Sequence, residues 1–92
     1  MSIKYRKVCG IVFVTVLNIT CTDNSNLTNH GVLLPAGYRP SADSEPYFPI
    51  GYMSNEGYSG MCKIYADGSI ASIGGPHHND YYAGYVAYPA EG

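Results

Sequence analysis

Apolar and polar positions along this chain follow the two-residue period of extended chain, and no helical period persists beyond a turn. The first apolar run, Val8 to Leu17, is apolar on both alternating sets. Cys9, Ile11, Phe13, Thr15, Leu17 and Ile19 form one; Val8, Gly10, Val12, Val14, Val16 and Asn18 form the other. Its many β-branched residues suit a pleated strand. A strand apolar on both faces must be covered on both. A chain of 92 residues has one interior, so the second face is expected to meet another subunit. The same stretch has a rival reading. Lys4, Arg6 and Lys7, the apolar run and then Cys21 outline the signal of a small secreted bacterial lipoprotein, with residues 1–20 removed. Thr20, however, stands where such a signal wants Gly, Ala or Ser before the Cys. The run is also shorter than the roughly 20 residues of a membrane span, so no membrane insertion is expected. Residues 1–7 read as an N-terminal tail or linker, and 8–92 as a single domain.

Residues 22–31 are polar turn formers and read as a loop. Pro35 and Pro40 keep residues 32–40 out of a helix. Residues 41–46 are again a polar loop. Tyr47 to Ser54 is a strand in which Pro49 marks an edge or a bulge. After a turn at Asn55–Gly57, two strands (Gly60 to Ala66 and Ser69 to Ile73) flank Asp67-Gly68, a strong hairpin signal. Two registers fit it. A two-residue loop pairs Ile64 with Ala71 and Cys62 with Ile73. A three-residue loop with a glycine bulge pairs Ile64 with Ile70 and Met61 with Ile73. A second loop, Gly74 to Asp80, precedes a last strand, Tyr81 to Tyr88. Five or six short strands predict an all-β fold, an antiparallel β-sandwich or barrel.

Composition narrows the function classes. Charged residues make up only 13% of the chain and the net charge is −2, which leaves no basic footprint for nucleic acid. Hydrophobic residues at 46% argue against disorder. Cys9, Cys21 and Cys62 cannot all pair within one chain, and their spacing matches no zinc pattern. His77 and His78 are adjacent, so on extended chain they point to opposite sides and do not readily grip one ion. The acids fall mostly in turns, where Asp serves local hydrogen bonds, and no phosphate loop or nucleophile motif is present. No enzymatic activity, metal or cofactor is expected.

The segment Leu34-Pro-Ala-Gly-Tyr-Arg-Pro-Ser41, the aromatic strand Tyr47-Phe48-Pro49 and the turn Ala66-Asp67-Gly68-Ser69-Ile70 occur in that order. This order resembles the C-terminal receptor-binding or tip domains of tailed-bacteriophage tail fibres and minor tail proteins, over roughly residues 8–88. The resemblance implies a jelly-roll-like β-sandwich assembled as a homotrimer, attached to the rest of a tail fibre or baseplate. It also implies location at the tail tip of the virion and adhesion to a host cell-surface glycan. A trimer would supply the second cover for the two-faced strand. A trimerisation cap without a ligand is the alternative within the same family. Within the motif, Pro35, Gly37 and Pro40 fix a tight path, and Tyr38 and Arg39 read as packing and pairing residues rather than ligand contacts.

Carbohydrate binding needs little machinery. A ring stacks on the apolar side of a sugar, and Asn, Asp or His bonds its hydroxyls. Two loops hold that mixture: Tyr52 to Tyr58, and His77 to Tyr82. Tyr58, His77, His78, Asn79, Asp80 and Tyr81 are the candidate ligand-binding residues. They form one site if both loops lie at the same end of the fold.

Overall fold

The computed structural model describes residues 1–20, 26–52, 59–74 and 82–91. Seven antiparallel strands follow one another: β1 (Ser2–Val8), β2 (Ile11–Ile19), β3 (Thr28–Val32), β4 (Tyr47–Tyr52), β5 (Ser59–Ile64), β6 (Ser69–Ile73) and β7 (Tyr82–Pro89). They form one sheet in the order β1-β2-β7-β4-β5-β6-β3. The all-β, antiparallel expectation holds. In place of two facing sheets, a single sheet curls into a half-barrel.

Residues expected as a tail supply β1. The hairpin behind it turns on Cys9 and Gly10, both at positive φ (50° and 79°), with Val8 opposite Ile11. Positive φ at both central positions is the geometry whose twist matches paired strands. Asn or Asp usually occupies the first of those positions; Cys9 there gave no turn signal. β3 was also expected as loop. Its polar sequence, Thr-Asn-His-Gly-Val, pairs with β6 through backbone groups at an edge, with a register shift between Asn29 and Val32.

The core fills the inner face of the curl. Val12, Val14, Val16 and Ile19 from β2 are buried with Phe48 and Ile50, Cys62 and Ile64, Ile70, and Tyr82 and Tyr88. Strict alternation would put Ile19 on the opposite face from Val16. A bulge carrying Asn18 at φ 58° shifts the register and returns Ile19 to the core. The Asp67-Gly68 hairpin takes the three-residue register: Ile64 pairs with Ile70 and Met61 with Ile73. The Gly68 amide donates to Tyr65 O at 2.9 Å, and Gly68 itself sits at φ 87°. Asp67 Oδ1 accepts from the Ser69 amide (2.8 Å) and hydroxyl (2.6 Å). These bonds, the hydroxyl's first, hold the Asp67 carboxyl below its ordinary pKa.

Residues 33–46 hold one end of the sheet together. The Leu33 and Leu34 amides both donate to Gly68 O, and Arg39 Nε donates to Leu34 O at 2.8 Å. The Glu91 amide reaches Arg39 O, and the Ala90 amide reaches Gly10 O. Tyr88 Oη donates to Tyr38 O at 2.6 Å, and Lys7 Nζ to Gly37 O at 2.9 Å. Leu34 and Pro40 are fully buried beneath these contacts. The motif Leu34–Ser41 is thus a latch joining the β1–β2 turn, the β5–β6 turn and the end of β7. Gly68 is required twice over: its φ is positive, and a Cβ there would lie 2.4 Å from Leu34 O.

Candidate functional site

All six sequence-predicted site residues, Tyr58, His77, His78, Asn79, Asp80 and Tyr81, lie outside the described residues. The strands that flank them are described. Tyr52 pairs with Tyr82, Ile19 also pairs with Tyr82, Gly51 pairs with Ser59, and Met61 pairs with Ile73. Strand ends before and after both segments therefore meet at one end of the sheet, opposite the latch.

A depression opens next to this end, on the outer face. Its walls are Thr15 and Leu17 of β2, Pro49 and Gly51 of β4, and Ala83 and Tyr85 of β7, with a volume of about 720 Å³. Its origin is local. β4 pairs with β7 only at Gly51↔Ala83 and Tyr52↔Tyr82. Pro49 has no N–H to donate, so the ladder has no donor there, and the expected edge character of Pro49 applies on the β7 side. Gly84 lets the two strands stay close at this point, since a Cβ on it would lie 2.7 Å from both Ile50 Cγ2 and Pro49 O. Small residues at 51 and 83 leave the floor empty, and Tyr85 stands beside it, 81% exposed.

A second, smaller depression of about 160 Å³ lies toward β1, lined by Lys4, Tyr5, Arg6, Phe13 and Thr15. Thr15 lines both, so the two lie side by side along a track across β1, β2 and β7. Arg6 lies over the Phe13 ring, its guanidinium carbon 5.9 Å from the centroid. Phe13 is 43% exposed. Tyr85 and Phe13 were not among the sequence candidates. Tyr85 had a signal, as a Tyr on the alternation opposite to Tyr82 and Tyr88. The track did not, because it needs β7 seated between β2 and β4.

The remaining chemistry is structural. His30 Nε2 is 2.6 Å from Ser72 Oγ, joining β3 to β6, and burial lowers its pKa. Lys63 sits between the Tyr47 and Tyr65 rings (4.7 and 4.6 Å) and 3.7 Å from Glu45. Cys62 is buried and Cys9 exposed, and neither belongs to a disulfide. Among the described residues no three His, Cys, Asp or Glu side chains gather to hold a metal. No protein-family model, curated protein or solved structure matches the chain.

Proposed function

We propose that this chain is a non-catalytic adhesion domain, the receptor-binding tip of a bacteriophage tail fibre, that holds a carbohydrate of the host bacterial surface. The observation that carries the reading is the outer-face depression beside the exposed Tyr85 ring. A sugar presents an apolar face to such a ring and hydroxyls to the surrounding groups. The candidates Tyr58 and His77–Tyr81 lie outside the described residues; the described strands that flank their segments carry Gly51 and Ala83, which line this depression. Binding of this kind requires no acid, base or metal.

In this reading the domain works as a homotrimer on the rest of the fibre or baseplate, in a jelly-roll-like arrangement completed by its neighbours. The subunit contact, expected on the outer face of β2, is placed instead at exposed Met61 and Tyr47 on the outer face of β4 and β5, which leaves the outer face of β2 to the ligand. The same side chains favour the second reading, a trimerisation cap without ligand.

A glycan array and whole-bacterium binding separate the two. Retention on a bacterial surface glycan, weakened by Tyr85→Ala, is the expected result. Failure to bind any glycan or cell, with a trimer still seen by light scattering, would leave the cap reading. A monomer at micromolar concentration would count against both.

A further inference from the structure

We infer that the track from Tyr85 to Lys4 is a subsite for an anionic sugar, a hexose unit bearing a carboxylate or a phosphate, with the acid group held by Lys4 and Arg6. This rests on the glycan-binding reading and specifies the class of glycan.

Charge placement carries the argument. The chain has five Lys and Arg residues. Three have oxygen partners: Lys7 at Gly37 O, Arg39 at Leu34 O and Lys63 at Glu45. Lys4 and Arg6 have none among the described residues, and Arg6 has only the Phe13 ring. The two alternate along β1, opposite Thr15 and Phe13, so both belong to the outer face. No acid occurs in β1, β2 or β7. The described acids, Asp43, Glu45, Asp67 and Glu91, belong to the 33–46 segment, the β5–β6 turn and the stretch after β7. Among the described residues, a chain of net negative charge therefore presents only cations at this corner, beside the aromatic rings of Phe13 and Tyr85.

Cations on an edge strand also deter strand-to-strand association. That role is served by any exposed charge on the edge. It does not account for both cations bordering one depression with Phe13, nor for that depression lying next to the Tyr85 groove, with Thr15 lining both. An anionic pyranose accounts for both. Its acid group accepts charge-assisted hydrogen bonds from Lys4 and Arg6, and its ring or the next one in the polymer lies along Phe13, Thr15 and Tyr85.

The test uses the full chain against an array of matched neutral, carboxylated and phosphorylated oligosaccharides, with oligogalacturonate and a hexose-phosphate oligosaccharide as defined probes. Binding should favour the acidic members and fall with added salt. Lys4→Gln with Arg6→Gln should weaken it by about tenfold or more and flatten the salt dependence. Tyr85→Ala should weaken it while leaving the salt dependence intact. Both variants alter exposed side chains, and an unchanged melting curve verifies the fold. The carboxylated and phosphorylated arms identify which acid is taken. Equal binding of neutral and acidic sugars, or indifference to the Lys4/Arg6 change, overturns the inference and leaves the adhesin. Absence of binding to every sugar and to whole cells overturns both. If Tyr85→Ala dissociates an oligomer without changing glycan binding, the face is a subunit contact and the inference fails.

Discussion

The two faces of β2 carry similar side chains and meet opposite surroundings. Val12, Val14 and Val16 are wholly buried, while Ile11 and Phe13, one residue away, lie partly in solvent. Curl makes the difference. A sheet bent one way gathers the residues of its inner face into a shared volume and spreads those of its outer face apart. The inner face is further closed at one end by Leu34 and Pro40 from the latch, whereas no described segment crosses the outer face of β2 and β7. Side-chain apolarity is therefore a poor guide to which face is core in this chain, and a good guide to how much apolar surface is left for a partner or ligand.

The sharpest challenge to this contrast is to place one charge on each face. Val14→Asp should cost more than about 3 kcal/mol and abolish cooperative melting, because the carboxylate has no water or partner inside the curl. Phe13→Asp should cost no more than about 1 kcal/mol. Comparable losses at both positions in a urea titration would mean that the outer face is covered as well. Next in size is the latch. Gly68→Ala should cost about 2–4 kcal/mol through its positive φ and the collision with Leu34 O, and Leu34→Ala a similar amount. Indifference to both would make the 33–46 segment a passive loop.

Removing the Tyr88 hydroxyl as Phe should cost about 1 kcal/mol, the worth of its bond to Tyr38 O. Burial pushes the Tyr88 pKa up to about 12. That phenol therefore favours folding below its ordinary value near 10, and the advantage is lost as pH rises from 10 toward 12. The alkaline loss should shrink in Tyr88→Phe. The smallest effect concerns the β3 edge. Burial lowers the His30 pKa from 6.5, so the folded state prefers the neutral ring. Stability is full above 6.5 and falls as pH drops from there toward the lowered value. The difference in melting temperature between the parent and His30→Gln across that range isolates this ring from His77 and His78, which both proteins keep.

Much of this architecture was legible in the alternation. Strands β4 to β7 lie within about two residues of their expected bounds, and the hairpin register is one of the two that Asp67-Gly68 allowed. The scaffolding role of Leu34–Ser41 was legible too, since two prolines and a glycine fix a path whatever surrounds it. β1 was hidden by Cys9 in a turn position where its residue type is unusual, and β3 by a polar sequence with no apolar alternation, which pairs through its backbone and the His30–Ser72 contact. The single curled sheet depends on which strands are neighbours, and local patterns do not encode that. The same holds for the depression, made by what is missing at Gly51 and Ala83 and by the close approach of β4 and β7 that Gly84 permits. Tyr58 and the segment His77–Tyr81, the candidates the sequence offers for binding, lie outside the described residues, and the register adds only that the strands flanking them converge.

β7 sits between β2 and β4 although it follows all the other strands in the chain. Without it, the β1–β2 hairpin and the β4-β5-β6-β3 group share no ladder. During synthesis the two parts would wait as separate pieces with their edges open until Tyr82 to Pro89 left the ribosome and bridged them. Assembly is thus a late, all-at-once event, and a growing chain stalled before residue 82 should be degraded or captured by a chaperone rather than persist half-built.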